Sequence, residues 1–150
     1  MKHVIIYTDG SCSGNPGPGG WAAILKYGDH EREITGSCAQ TTNNRMELAA
    51  ALGALRALKT ACRVSLYTDS AYLERAFNQG WIRTWQRNGW RTRDKNPVLN
   101  RDLWEDILSE AEKHEVQWIK VKGHADDALN NRVDHLAVQA MKAGRTLRQK

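Results

Sequence analysis

The sequence contains no apolar run of the length that a membrane span or a secretory leader requires. Only Val4, Ile5 and Ile6 follow the first three residues before polar positions resume, whereas a signal peptide needs about 7–15 apolar residues and a membrane helix about 20. We therefore expect a soluble, cytoplasmic protein with no membrane partner.

Cysteine is also scarce. The three cysteines, Cys12, Cys38 and Cys62, are odd in number, lie far apart and form no Cys-x-x-Cys pair. This pattern argues against a disulfide framework and a structural zinc site, so we predict reduced thiols.

Hydrophobic residues are plentiful, and the chain has the length of one domain. Of its 150 residues, 41% are hydrophobic and six are tryptophan, a composition that excludes intrinsic disorder. We predict one domain over residues 1–142, followed by a basic, flexible tail over residues 143–150.

Acidic residues are scarce in one segment only. The chain carries 22 Lys+Arg against 17 Asp+Glu, a net charge of +5. Residues 80–101, which we call the basic segment, contain six Lys or Arg and a single acid, Asp94, so the remainder is balanced. Positive charge interleaved with tryptophan is typical of a surface that binds nucleic acid, although a solvated charged surface is the simpler alternative. Trp104 and Trp118 lie outside periodic polar stretches and are assigned to the core.

Hydrophobic patterning predicts strands alternating with helices. Runs of β-branched and aromatic residues predict strands at 4–8, 21–26, 31–38, 64–68 and 116–121. Apolar residues recurring every three to four positions predict a long helix from residue 43 onward, and further helices at 70–78, 100–113 and 130–142. The glycine- and proline-rich stretch at 14–20 predicts a loop. The fold class is therefore α/β (α+β), with a mixed sheet.

One short pattern ends two of these strands. Tyr7 to Asp9 and Tyr67 to Asp69 both read Tyr-Thr-Asp. If the two strands are parallel neighbours, Asp9 and Asp69 lie about 5 Å apart. Carboxylates this close repel each other unless a cation lies between them, so the pair predicts a site for a hard divalent metal. Taken singly, each aspartate also fits a turn or N-cap residue.

Three further polar side chains fall near the same end of the predicted sheet. Glu47 lies in the first turn of the long helix beside Leu48, so it either points over the strand ends or only interacts with the helix dipole. Asp134 has a similar place on the last helix and also fits a solvated helix acid. His124 follows the last strand on a loop, where a lone histidine has many structural explanations.

Seven motifs occur in a fixed order along the chain: Thr8 to Ser11, Gly14 to Gly20, Thr42 to Leu48, Thr68 to Ser70, Trp81 to Trp90, Val121 to His124 and Asn130 to Asp134. In this order and spacing they resemble bacterial type 1 ribonuclease H, over about Val4 to Ala140. The resemblance implies a ribonuclease H-like fold with a five-stranded mixed sheet flanked by helices. It also implies a monomeric endonuclease that hydrolyses the RNA strand of RNA–DNA hybrids, leaving 5′-phosphate and 3′-hydroxyl ends.

The resemblance further implies roles for individual residues. The metal ligands would be Asp9, Glu47, Asp69 and Asp134, which hold two Mg²⁺ ions in the substrate complex, with Mn²⁺ as a substitute. His124 would assist proton transfer or product departure. The residues implied to contact the hybrid through the glycine-rich loop and the start of the long helix are Cys12, Gly14, Asn15, Thr42, Asn43 and Asn44. Those implied to hold the DNA strand are Trp81, Arg83, Trp85, Arg87, Trp90 and Arg91.

The sequence departs from the family pattern at a few positions. Gln40 and Thr84 replace an Arg and an Asn that often accompany Thr42 in a pocket for a DNA phosphate, and Ala71 replaces a frequent Gln. Two other functions remain open. A DNA-cutting nuclease of the same fold would use similar acids, although the glycine-rich loop and the basic segment favour a hybrid. A non-catalytic hybrid-binding module would be expected to lose a carboxylate, and all four are present.

Overall fold

A five-stranded mixed sheet forms the centre of the molecule. The computed structural model describes residues 1–122 and 127–149. The strands are β1 (Lys2–Cys12), β2 (Gly17–Tyr27), β3 (His30–Thr41), β4 (Cys62–Thr68) and β5 (Glu115–Lys120). Their order is β3-β2-β1-β4-β5, with antiparallel pairing within β1, β2 and β3 and parallel pairing of β4 with β1 and β5. The predicted mixed sheet and its opening meander are confirmed.

Helices cover both faces of the sheet. Those within the described residues are α1 (Asn43–Arg56), α2 (Ala71–Asn78), α3 (Trp81–Arg87), α4 (Arg101–Ala111) and α5 (Ala128–Gln149). Alternate residues of β2 serve the two faces, since Ala23 packs with α1 whereas Ala22 and Ile24 pack with α5. Helices α1 and α2 lie on one face with α3 and α4 against them, and α5 lies on the other.

The larger core lies between the sheet and α1. Leu48 and Leu55 of α1 are fully buried against Ile6 of β1 and Leu66 of β4. Each such side chain contributes about 1.5–3 kcal/mol by leaving water. Trp104 is fully buried and Trp118 is buried in the same cluster, so the assignment of both to the core is confirmed.

The prediction that residues 14–20 form a loop is wrong for their second half. Strand β2 begins at Gly17, so the glycines that follow are paired with both neighbouring strands. A Cβ at Gly20 would collide with the backbone of Met141 in α5. Glycine is used there because a helix backbone lies directly on the strand, which composition alone does not distinguish from a loop.

The last helix is longer than predicted. We expected it over 130–142, whereas α5 runs from Ala128 to Gln149 and includes most of the segment predicted to be a flexible tail. No proline interrupts this segment, and Gly144 lies against Ser37 of β3, so contact with the sheet continues past residue 142. The flexibility of residues 143–150 stays a prediction.

Two expectations about chemistry also have structural counterparts. All three cysteines carry free thiols, as predicted. Within the described part of the chain, no helix has the length and apolar character needed to cross a membrane.

Candidate active site

The repeated Tyr-Thr-Asp pattern brings two aspartates together. Strands β1 and β4 are parallel neighbours in which Tyr7 pairs with Tyr67, so Asp9 near the end of β1 and Asp69 after β4 lie at the same edge. Carboxylate oxygens of Asp9, Glu47 and Asp69 all lie within 4.8 Å of one another. The closeness predicted from the repeated pattern is therefore observed, and Glu47 joins the pair.

Glu47 reaches the cluster because α1 passes very close to β1. The amide of Gly10 donates to both Asp9 Oδ1, at 2.9 Å, and Glu47 Oε1, at 2.6 Å. A Cβ at Gly10 would come within 2.5 Å of the Glu47 nitrogen, so only glycine permits this approach. Glu47 is the fifth residue of α1, beyond the first turn in which we expected it. An interaction with the helix dipole therefore explains its position poorly.

The donor set of the cluster suits a hard divalent cation. Asp9 and Glu47 are 4% and 3% exposed, whereas Asp69 is open to solvent. The second carboxylate oxygen of Glu47 is buried and has no hydrogen-bond partner among the described residues. A buried carboxylate oxygen without a donor is costly, and a cation bound by oxygen ligands would satisfy it.

Burial raises the pKa of both inner carboxyl groups. For Asp9 desolvation is the largest cause, followed by the hydrogen bond and the charge of Glu47. For Glu47 desolvation is again the largest cause; the charge of Asp69 adds to it, whereas hydrogen bonds from Asp9 and from the Gly10 amide oppose it. The pair therefore shares a proton when no cation is present, with Asp9 donating to Glu47. A bound cation would displace that proton.

The cluster forms the floor of an open cavity of about 400 Å³. Asp134 lines this cavity from α5, where its side chain is exposed, and its hydrogen bond contributes to the raised pKa of Asp9. All four predicted metal ligands thus face one space, although Asp134 lies outside the tightest group of three. His124, the fifth predicted catalytic residue, lies outside the described residues.

The residues predicted to contact the hybrid surround one side of this cavity. Asn43 and Asn44 line it from the exposed start of α1. Asn15 is fixed beside them, because its Oδ1 accepts the Asn43 amide at 3.1 Å. Thr42 is the N-cap of α1 and accepts the Arg45 amide at 3.2 Å, so part of its role is structural.

Cys12 and Gly14 complete this side. The thiol of Cys12 lies 3.4 Å from the Thr41 carbonyl oxygen, which links the end of β1 to the end of β3. Gly14 has a φ of 84° in the exposed turn between β1 and β2. The prediction that both contact a hybrid stays a prediction.

Comparison with known proteins adds the decisive observation. The family model for RNase H matches residues 1–142. The chain belongs to the ribonuclease H family. A ribonuclease H of Symbiobacterium thermophilum is 62% identical over 144 residues, covering 96% of this chain and 98% of the relative. The resemblance to bacterial ribonuclease H is therefore confirmed, and the protein is a hydrolase of this family.

Solved structures of ribonuclease H agree with the fold. LC9-RNase H1, a type 1 RNase H with the type 2 active-site motif, matches with a TM-score of 0.85 at 33% identity, covering 95% of this chain and 74% of that chain. LC11-RNase H1, crystallised with an RNA/DNA hybrid, matches with a TM-score of 0.70 at 22% identity, covering 94% and 98%. The predicted ribonuclease H-like fold is confirmed.

The basic segment presents its arginines to solvent and its tryptophans mostly to the protein. Arg83, Arg87 and Arg91 are exposed. Trp81 and Trp85 are half-buried, and their ring centroids are 6.2 Å apart.

Trp90 is buried more deeply than expected for a residue of a binding surface. It is 8% exposed, its ring centroid lies 6.0 Å from that of Trp85, and the Arg101 guanidinium lies over its ring. Core packing therefore accounts for much of the tryptophan density that we interpreted as a binding surface. The arginines remain as the available anion-binding groups of the ribonuclease H basic segment.

Sequence reasoning missed three residues close to the ribonuclease H site. Tyr72 lines the carboxylate cavity and lies three positions after Asp69. Arg45 and Asn100 form hydrogen bonds that lead to Tyr72. Arg45 lies inside one of the recognised motifs, and this position was the only signal the sequence offered.

Proposed function

We propose that this protein is a metal-dependent endonuclease that hydrolyses the RNA strand of RNA–DNA hybrids. The observation that carries the proposal is the group of three carboxylates within 4.8 Å, with an unpartnered Glu47 oxygen, on the floor of an open cavity. Membership of the ribonuclease H family supports the choice of reaction. The hybrid bound by LC11-RNase H1 supports the choice of substrate by analogy of fold.

Asp9, Glu47, Asp69 and Asp134 would hold the metal, Mg²⁺ or Mn²⁺, in the substrate complex. When two such ions are bound, they activate a water molecule and stabilise the charge that develops on the leaving 3′ oxygen. The protein's own contribution is to hold the acids in place: the Gly10 amide fixes Asp9 and Glu47, and the strand ends fix Asp69. The products would carry 5′-phosphate and 3′-hydroxyl ends.

His124 is proposed to move a proton or to assist product departure. Because the metal-binding acids supply most of the charge stabilisation, replacing His124 should slow turnover less than replacing any of those acids.

Two surfaces beside the carboxylates would select the hybrid. Asn15, Asn43 and Asn44 present amide groups next to the cavity, and such groups both donate to and accept from 2′-hydroxyls of an RNA strand. The exposed arginines of the basic segment would hold phosphates of the DNA strand. The enzyme is proposed to act as a monomer, since all of these groups belong to one chain.

Cleavage of strand-labelled substrates tests the proposal. The protein is incubated with an RNA–DNA hybrid labelled on either strand, with duplex DNA and with duplex RNA, in Mg²⁺, Mn²⁺ or EDTA. We expect internal cuts in the RNA of the hybrid only, and only with metal. Cutting of duplex DNA would instead favour a DNA nuclease of the same fold, and binding without any cutting would favour a non-catalytic module.

A further inference from the structure

The side chain of Tyr72 lies where the carboxylate cavity and the basic segment meet. Tyr72 is in the first turn of α2, three residues after Asp69, and it lines the cavity above the carboxylates. Its hydroxyl oxygen accepts one hydrogen bond from Trp104 Nε1 and a second from Asn100 Nδ2, both at 3.2 Å. These two bonds occupy both lone pairs of the hydroxyl and fix the ring.

Asn100 carries this link onward to α1. Its backbone has φ 65° and ψ 24°, a left-handed conformation that costs a non-glycine residue about 1 kcal/mol. Although Asn100 is at the N-cap of α4, its side chain makes no capping bond. Instead, its Oδ1 accepts from Arg45 at 3.2 Å while its Nδ2 donates to Tyr72. The side chain therefore bridges two other elements at the expense of a cap.

Arg45 anchors the other end of the link. Its guanidinium donates to both carboxylate oxygens of Asp102, at 3.0 and 2.8 Å, and holds the pKa of Asp102 below its usual range. The two side chains are 35% and 65% exposed, and an ion pair this open contributes at most about 1 kcal/mol to stability. The geometry orients Arg45 toward Asn100 more than it stabilises the fold.

Both ends of the basic segment therefore converge on Tyr72. Near its beginning, the Trp81 ring lies 6.5 Å from the Tyr72 ring, centroid to centroid. Near its end, Asn100 is bonded to the Tyr72 hydroxyl. The exposed arginines lie between these two points. The position of the segment relative to the carboxylates thus depends on one side chain that contacts both.

We infer that Tyr72 is a positioning residue, which sets the distance between the strand-holding basic segment and the acidic cluster through its bonds to Asn100 and Trp104. The inference rests on the proposed function. A residue that only stabilised the fold would change the free energy of unfolding and leave hybrid affinity unchanged in the folded variant. A positioning residue changes the affinity and KM while the chemical step at the carboxylates proceeds nearly as before.

The test uses Tyr72→Phe, which retains the ring and removes the acceptor for both donors. Hybrid binding is measured by fluorescence anisotropy in EDTA, and kcat and KM are measured in Mg²⁺. Loss of two ordinary hydrogen bonds predicts a rise of about fivefold to tenfold in Kd and KM, with kcat within about twofold of wild type. Tyr27→Phe is the matched control, because Tyr27 is 44% exposed at the end of β2 and should behave like wild type. Unchanged Kd and KM in Tyr72→Phe would overturn the inference.

A second variant tests the route through Asn100. Asn100→Gly keeps the left-handed backbone favourable and removes the bridging side chain, so its Kd should rise by a similar factor. If Tyr72 acts through Asn100, the double variant should bind no more weakly than the weaker single variant, whereas multiplied effects would contradict this route. Wild-type protein that binds the hybrid without cutting it would refute the proposed function, and the binding comparison would still decide the role of Tyr72.

Discussion

Replacing Asp9 with asparagine should stabilise the metal-free protein and abolish cleavage. Asp9 and Glu47 are almost fully buried, and their carboxylates lie within 4.8 Å of each other and of Asp69. Asparagine keeps the oxygen that accepts the Gly10 amide and offers an NH₂ group to Glu47. A repulsive contact between two acids therefore becomes a hydrogen bond, and one ligand is lost.

The size and pH dependence of this gain follow from the raised pKa values. The pKa of both acids is raised above the unfolded value of about 4. Their contribution to stability is therefore complete below about pH 4 and is lost as the pH rises through the folded pKa values. For Glu47 the folded pKa is about 7. Since one pKa unit corresponds to about 1.4 kcal/mol, Asp9→Asn should gain on the order of 2–3 kcal/mol above neutral pH.

Urea unfolding measures this gain. Wild type, Asp9→Asn and the exposed-turn control Asp29→Asn are compared in EDTA at about pH 5 and about pH 8, and then with Mg²⁺. Asp9→Asn should exceed wild type by more at the higher pH, and Mg²⁺ should stabilise wild type more strongly than the variant. Equal stability of wild type and variant at both pH values would refute the burial argument. Equal stabilisation of both by Mg²⁺ would refute the assignment of Asp9 as a ligand.

Three further predictions concern other parts of the molecule. Replacing the four exposed arginines of the basic segment by alanine should weaken hybrid binding and reduce the slope of log K against log salt by up to about 3, which binding titrations measure; an unchanged slope would exclude the segment. Those residues are Arg83, Arg87, Arg91 and Arg93. His114 accepts the Cys62 amide through Nδ1 at 3.1 Å, and burial lowers its pKa, so stability should fall as the pH drops below about 6.5; urea unfolding of His114→Asn should show a weaker fall. Gly10→Ala would place a Cβ 2.5 Å from backbone atoms of Met46 and Glu47 and should cost about 2–4 kcal/mol in urea unfolding; a variant as stable as wild type would contradict the close approach of β1 to α1.

The fold was predictable where local pattern and tertiary packing agree. The parallel pairing of β1 with β4 followed from a helical crossover between two hydrophobic strands, and it placed Asp9 and Asp69 together before any coordinates were considered. The pattern was ambiguous where glycine serves a tertiary contact. Gly20 lies in a strand because α5 packs directly upon it, and nothing in the neighbouring residues signals that contact.

The candidate site was predictable in its acids and less so in its supports. Carboxylates at strand and helix ends carry a chemical signature, so Glu47 could be proposed from its type and place. The tryptophans of the basic segment were harder to interpret, because Trp90 packs against Trp85 and Arg101 in a loop whose conformation includes a φ of 63° at Trp90. The bonds that link Arg45 to Asn100 join residues 55 positions apart. No local pattern encodes them.

Hydrolysis of an RNA-labelled hybrid by wild type and by Glu47→Gln tests the central claim most directly. Glutamine preserves the shape of a side chain that is 3% exposed but removes the charge that would bind metal. We predict that wild type in Mg²⁺ cuts the RNA internally and leaves 5′-phosphate ends, and that neither Glu47→Gln in Mg²⁺ nor wild type in EDTA cuts it. Undiminished cleavage by Glu47→Gln, or by wild type in EDTA, would contradict a mechanism in which the carboxylate cluster holds the metal.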